Sequence, residues 1–313
     1  MSIVWKERGF IFNVPKSNKI GFAFSHTHKP TPLQINRDVL RIFFGTRSEA
    51  GHTRTTYIDV DAHNPSRILD ESMPLILDLG KIGAFDDSGA NVCSIIALPD
   101  RIHMYYIGWN PSTTVHTRNA IGVAVSYDQG RTFSRLYDGA ILDRSKDEPY
   151  YTGAVDVVHN GKFFEMWYTS GTHWEFIDGK PEIMYHIKYA YSQDGIEWVR
   201  PGISCIPPSS PTEATARPSV IRKDGKYLMW FSYRDIDGFR ERASSMYRAG
   251  YAESNDGRNW TRIDDLAGVA PSSGGWDGDA VAYPYVRKVN ESYLMLYNGN
   301  GFGRTGFGYC IGE

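Results

Sequence analysis

Apolar residues along the chain gather in short runs, and no stretch sustains the spacing of an extended amphipathic helix. Five runs share an aromatic core: Val39-Leu-Arg-Ile-Phe-Phe-Gly-Thr-Arg47, Arg101-Ile-His-Met-Tyr-Tyr-Ile-Gly-Trp109, Gly161-Lys-Phe-Phe-Glu-Met-Trp-Tyr-Thr169, Gly225-Lys-Tyr-Leu-Met-Trp-Phe-Ser-Tyr233 and Glu291-Ser-Tyr-Leu-Met-Leu-Tyr-Asn298. A second apolar run precedes each, at 92–98, 154–158, 218–221 and 280–286, with the first equivalent between 20 and 35. A polar phrase follows three of them: Ala124-Val-Ser-Tyr-Asp-Gln-Gly-Arg-Thr-Phe133, Ala190-Tyr-Ser-Gln-Asp-Gly-Ile-Glu-Trp198 and Ala252-Glu-Ser-Asn-Asp-Gly-Arg-Asn-Trp260. Its Asp offers an acceptor to turn amides, its Gly tolerates positive φ, and its aromatic residue opens the next strand.

The near-constant spacing of these phrases is the signature of a repeat architecture. Each unit reads as four strands: innermost, second, third before the turn, and outer after it. The fifth unit ends where its outer strand is due. Trp5-Lys-Glu-Arg-Gly-Phe-Ile-Phe12 resembles Trp198-Val-Arg-Pro-Gly-Ile-Ser-Cys205. Residues 3–14 are therefore expected to supply the missing outer strand, closing the ring and leaving no open sheet edge at the seam. The expectation is an all-β, single-domain, five-bladed β-propeller over 1–313, with four-stranded blades and the last blade closed by the N-terminal strand.

Composition narrows the function. The 313 residues carry a formal net charge of −2, which gives no reason to expect nucleic acid or an anionic membrane as partner. Twenty Tyr and eight Trp with only 22% charged residues suit β-structure with aromatic-lined clefts. Cys93, Cys205 and Cys310 are widely spaced and form no C-x-x-C pair, so they read as small apolar strand residues. No stretch approaches the ~20 apolar residues of a membrane helix, and the N-terminus has no leader-like pattern. A soluble, cytoplasmic protein is expected.

In such a blade the innermost strand begins on the face where the second strand ends. The inner starts offer His26 and His28, Asp86 and Asp87, Tyr151 and Thr152, Glu213 and Arg217, and Asp277 with Asp279. The second-strand ends offer Arg47, Trp109, Trp174, Arg234, Asn298 and Asn300. Aromatic rings beside Asn, Asp and Arg suit a sugar, whose apolar faces stack while its hydroxyls hydrogen-bond. Turn chemistry accounts as well for Asp86-Asp87-Ser88-Gly89 and Asp277-Gly-Asp279, a solvated loop position for Glu213, and a structural ion pair for Arg234. His26-Thr-His28 has no carboxylate or Cys beside it, so no metal is expected, and no cofactor.

The blade pattern resembles the five-bladed β-propeller glycosidase superfamily, which includes arabinosidase/xylosidase, invertase-like and mannoside phosphorylase families. Phe85-Asp-Asp-Ser-Gly89, Tyr105-Tyr-Ile-Gly-Trp109, Ala216-Arg-Pro-Ser-Val220, Tyr283-Pro-Tyr285 and Tyr297-Asn-Gly-Asn-Gly-Phe-Gly-Arg-Thr-Gly-Phe-Gly308 resemble an uncharacterised bacterial branch associated with surface-polysaccharide gene clusters. The superfamily's hydrolases carry acids at the inner starts of blades one, two and three. Here blade two matches at Asp86 or Asp87, whereas blade one shows His26 and His28 and blade three Tyr151 and Thr152. The Asp-box of sialidases also matches Ser126 to Phe133, but sialidases have six units.

The resemblance implies a glycoside hydrolase-like enzyme acting on a bacterial saccharide by carboxylate acid/base catalysis in the axial pocket. Glu213 is expected as acid, Asp87 as base or nucleophile, and Asp279 as a third carboxylate. His26, His28, Arg47, Asp86, Trp109, Tyr151, Trp174, Arg217, Arg234, Tyr283, Asn298 and Asn300 are expected to bind the small-molecule or oligosaccharide substrate. A glycoside phosphorylase with a basic phosphate pocket, or a non-catalytic carbohydrate-binding propeller, is the alternative.

Overall fold

The computed structural model describes residues 3–14, 21–238 and 242–313. Its regular structure is almost wholly β. In chain order the strands are β1 (Trp5–Phe12), β2 (Ser25–Gln34), β3 (Val39–Arg47), β4 (Thr53–Asp61), β5 (Ile68–Asp70), β6 (Gly89–Ala97), β7 (Ile102–Asn110), β8 (Arg118–Ser126), β9 (Ser134–Arg135), β10 (Thr152–His159), β11 (Phe164–Ile177), β12 (Lys180–Ser192), β13 (Ser204–Ile206), β14 (Glu213–Lys223), β15 (Lys226–Asp235), β16 (Arg248–Ser254), β17 (Thr261–Arg262), β18 (Ala282–Val289), β19 (Ser292–Asn298) and β20 (Phe307–Gly312).

Three sheets have four strands each, ordered β10-β11-β12-β13, β14-β15-β16-β17 and β18-β19-β20-β1. The strands β2 to β9 form an eight-stranded sheet, in which β5 pairs with β4. Within it, β2-β3-β4-β5 and β6-β7-β8-β9 are antiparallel arrays joined through one parallel pair, Thr53 with Gly89. Residues 40–46 of β3 are all buried. A strand covered on both faces needs no apolar/polar alternation, which is why the second strands read as continuous apolar runs.

The N-terminal strand β1 pairs antiparallel with β20, with Arg8 opposite Cys310 and Gly9 opposite Tyr309. Phe12 packs against Phe44 and Phe307 at ring distances of 5.8 and 6.3 Å. The first strand thus covers an edge that β20 would otherwise expose.

The strands β2, β6, β10, β14 and β18 each carry a register shift. Such a bulge frees a main-chain amide from its own ladder, and neighbouring arrays satisfy several of these amides through side chains. Ser94 Oγ accepts from the Val157 amide at 3.1 Å, Asp156 Oδ2 from Val220 at 2.6 Å, and Ser219 Oγ from Val286 at 2.8 Å. Arg217, fully buried on β14, joins all the others. It donates to the Cys93 carbonyl of β6 (2.5 Å), the Val155 carbonyl of β10 (3.3 Å) and Thr31 Oγ1 of β2 (3.2 Å), and lies 4.4 Å from the ring centre of Tyr285 on β18. Five first strands thereby converge on one guanidinium.

The repeated turns do more than reverse the chain. Ser126, Ser192 and Ser254 each accept the amide of the turn glycine at 2.9 Å. In two of them the glycine carbonyl then accepts from the second strand of the preceding array: Tyr105 Oη to Gly195 at 3.0 Å, and Trp167 Nε1 to Gly257 at 2.7 Å. The motif fastens neighbouring arrays together. All three cysteines are buried free thiols.

Candidate functional site

A cavity of about 450 Å³ opens where the first strands converge. One wall is aromatic: Trp109, Tyr151, Tyr185, Tyr247, Tyr283 and Phe302. Lys29, Arg47, Arg217 and Arg234 also line it, together with His28 and His116. Glu182 is the single carboxylate among the described residues that do so.

Bulged backbone aims several of these groups. Lys29, Arg217 and Tyr283 have φ of 53°, 53° and 58°, left-handed values that cost a non-glycine residue energy. Each sits at or beside the register shift of its strand. The Lys29 amide is held by Asn298 Oδ1 at 2.8 Å, and the Lys29 ammonium lies 4.8 Å from the centre of the Tyr283 ring. Burial, reinforced by Arg217 and Arg47, pushes that ammonium down from 10.5 to about 8. Burial, then Arg47, pushes His28 well below its ordinary value, so its imidazole is neutral near pH 7.

The aromatic wall is cross-linked. Arg234 Nε donates to Tyr185 Oη at 2.8 Å and its Nη2 to the Ile183 carbonyl at 3.0 Å, while Tyr185 Oη is hydrogen-bonded to Tyr247 Oη. Tyr151 stacks on Tyr185 at 6.1 Å and accepts from Asn119 Nδ2 at 3.0 Å. Burial raises the Tyr151, Tyr247 and Tyr283 phenols, which stay protonated.

The hairpin β11–β12 extends past its sheet, and its Ile183, Met184 and Tyr185 pack against Ala214, Ala216 and Ile236 of the next array. Glu182 rides on this extension, 6% exposed. Nothing in the strand-start and strand-end pattern points to it; its signal is the unusual length of the hairpin. Lys29 and Asn91 were missed because each lies one residue outside the positions counted on its strand, and His116 and Tyr247 because they lie on connecting segments.

Of the residues expected to bind substrate, His28, Arg47, Trp109, Tyr151, Arg217, Arg234 and Tyr283 line the cavity. The others do not line it. His26 stacks on His28 at 4.8 Å, and Trp174 meets the cavity residue His116 edge-on at 5.4 Å. Asn298 is buried, donating to the Thr27 carbonyl at 2.6 Å; Asn300 Oδ1 accepts from the Asp279 amide at 2.8 Å.

The structure does not bring Asp87, Glu213 and Asp279 into the cavity. Asp87 accepts from the Gly83 amide (2.9 Å) and Ser88 Oγ (3.0 Å), which is turn chemistry. Asp279 is solvent-exposed. Glu213 receives both terminal nitrogens of Arg262 (2.7 and 2.8 Å) and the Ser209 amide (2.7 Å). Glu213 belongs to a repeated clasp. Asp86 accepts from Tyr106 Oη (3.0 Å) and Arg135 Nε (2.7 Å). Glu148 accepts from Tyr168 Oη (2.9 Å) and Lys188 (2.9 Å), and Asp277 from Tyr297 Oη (2.9 Å) and Arg8. In four of the five arrays an acid near the inner-strand entry is tied to a cation on a later strand of the sheet. Acids at several corners thus have a structural cause.

Among the described residues no group of three or more His, Cys, Asp or Glu is placed to hold a metal ion. No helix among them is long and apolar enough to cross a membrane.

No family model matches the sequence. The uncharacterized protein Rv1502 of Mycobacterium tuberculosis is 34% identical over 312 residues, covering 99% of this chain and all of its own length. Among solved structures, a glycoside hydrolase superposes with a TM-score of 0.73 at 17% identity, covering 99% of this chain and 91% of its own. The alpha-L-arabinanase of Penicillium chrysogenum, complexed with arabinobiose, gives 0.60 at 14% identity, covering 100% and 98%. The chain belongs to the family of the mycobacterial protein Rv1502 and has the fold of the propeller glycosidases.

Proposed function

We propose that this chain is a single-domain, five-bladed propeller that cleaves a glycosidic bond of a bacterial saccharide in the axial cavity, with Glu182 as the acid. The five arrays, whose first strands all reach the Arg217 guanidinium, support the blade count. The carrying observation is the cavity itself: stackable rings of Trp109, Tyr151 and Tyr185 beside hydrogen-bonding Asn119, His28 and Arg234, with Glu182 among them. A saccharide stacks its apolar face on such rings and presents the glycosidic oxygen to a carboxyl that protonates it as the bond breaks.

A second reading has a specific observation behind it. Hydrolysis ordinarily uses two carboxyl groups flanking the bond, and the described cavity residues offer one against four cations. Phosphorolysis needs a single acid. The phosphate oxygen attacks the anomeric carbon, the glycosidic bond breaks, and Glu182 gives its proton to the leaving oxygen.

Turnover of a panel of aryl glycosides and oligosaccharides, with and without inorganic phosphate, tests both. Glu182→Gln keeps size and removes the proton, so rates at matched folded concentration should fall about 10²–10⁴-fold. Turnover that needs phosphate selects the second reading. A Glu182→Gln protein with wild-type rates sinks the acid assignment. A wild-type protein that binds sugars but turns over none of the panel in either condition favours a binding module.

A further inference from the structure

Two hydrogen-bonding atoms of the cavity wall are left over by the fold. His28 Nε2 on β2 and Asn91 Oδ1 on β6 are buried without a hydrogen-bond partner among the described residues. Their side chains are 3% and 6% exposed, and both line the cavity. Gly45 of β3 brings the two together. His28 stands opposite it, between two register shifts, and the Asn91 amide packs on it so closely that a side chain there would collide. The tautomer of the His28 ring is set. The Phe302 main chain accepts a hydrogen bond from the ring, and with Nε2 unmatched that bond comes from Nδ1. Burial, then Arg47, keeps the ring neutral near pH 7. A neutral imidazole carries one N–H, so Nε2 is a bare acceptor. The ammonium of the adjacent Lys29 does not serve it, lying over the Tyr283 ring at 4.8 Å from its centre. Asn91 Oδ1 is an acceptor as well. Two buried acceptors at one wall call for donors from outside the fold. The positive charges of Arg47 and Lys29 act on this ring and disfavour a ligand ammonium, which leaves neutral O–H groups.

We infer that His28 and Asn91 form a hydroxyl-reading subsite whose two acceptors take O–H donors of one sugar unit, so that the cavity selects saccharides with free hydroxyls there over deoxy, O-methylated or O-acylated ones. This rests on reading the cavity as a saccharide site, and narrows it. A sugar without the hydroxyl strips water from a buried acceptor and gives no proton in return. A capped oxygen likewise offers no proton, and adds bulk at the wall. The role of the pair is recognition; neither group is asked to move a proton.

The test is calorimetric binding by the full chain at pH 7. The probes are the methyl glycosides of glucose, galactose, mannose and arabinose, each with its monodeoxy and mono-O-methyl derivatives, and glycerol and inositol as hydroxyl donors that are not sugars. At least one parent sugar should bind, and removing or capping a particular hydroxyl should weaken it about ten- to a hundredfold. His28→Phe keeps a ring against His26 and removes one acceptor; Asn91→Leu removes the other. Each should weaken the parent sugar to a similar degree and erase the discrimination at one hydroxyl. The derivatives make the same cut on the wild-type protein, so a variant that fails to fold leaves the test intact. Nitrogen NMR should show His28 protonated at Nδ1 and bare at Nε2, and the reverse tautomer overturns the pair of acceptors. Parent and derivatives binding alike overturns the subsite and leaves the saccharide reading standing. Discrimination that survives both substitutions overturns the assignment to this wall. Glycerol or inositol bound in a His28-dependent way, with no sugar bound, keeps the subsite and overturns the saccharide reading. No binding by any probe overturns both.

Discussion

Replacing Glu213 by Gln separates the two roles an inner-strand acid can have. The glutamine keeps the shape and one acceptor oxygen but leaves Arg262 with half of its bidentate partner. Breaking a buried ion pair costs about 3–5 kcal/mol. Here Arg262 is 21% exposed, keeps Asp264, and still lies over the Phe231 and Tyr233 rings at 5.2 and 4.8 Å. About 2–3 kcal/mol is the expected loss once that remaining support is counted. An unfolding entropy of about 2 cal/mol/K per residue over 313 residues converts this to a melting temperature lower by about 3–5 °C. Calorimetry across pH carries a second signature. Burial alone would raise the Glu213 carboxyl, but Arg262 and the Ser209 amide outweigh it and hold it below 4.5. A group whose folded value is depressed stabilises above its unfolded value and loses that contribution as pH falls through the folded one. The gap between wild type and variant should therefore be full at neutral pH and close below pH 4.5. Unchanged melting together with abolished turnover would refute the clasp and return Glu213 to the chemistry.

Two further perturbations follow from the packing. Deleting residues 1–14 removes Ile11 and Phe12 from a buried cluster and strips Arg8 from Asp277, a loss of about 4–6 kcal/mol from apolar burial alone; thermal melting or solubility reports it, and a truncated protein that melts like the full chain would sink the seam. Arg217→Met leaves the Cys93 and Val155 carbonyls without their donor, at about 1–3 kcal/mol each; urea unfolding should show the loss, and a variant as stable as wild type would mean the five first strands do not depend on this side chain.

What could be read from the chain was what short-range chemistry specifies. The turn phrases announce themselves because Ser, Asp and Gly within one phrase satisfy each other's backbone. The first strand was legible because Trp5 to Phe12 repeats a pattern found at 198–205. Strand-start and strand-end counting located Trp109, Arg217 and Arg234 at the cavity because the starts of the first strands pair with the ends of the second. The same counting placed Glu213 at a corner but could not see Arg262, which lies far along the chain and decides where the carboxylate turns. Glu182 escaped because it sits beyond the regular length of a sheet, on a hairpin whose reach depends on packing against Ala214 and Ile236. Whether a corner acid becomes a clasp depends on a partner far away in the chain.

The fastening turns also bear on how the chain is made. Gly195 grips Tyr105 and Gly257 grips Trp167, each reaching back 90 residues. A chain emerging from the ribosome therefore secures an array only when the following one has been synthesised. The newest array is always the loose one. The first strand waits longest: Lys6 meets Glu313 across 307 residues, so the nascent protein carries an unmatched β-edge until β20 arrives. Cellular factors that shield such edges would be needed until β20 has emerged and dispensable once it pairs with β1.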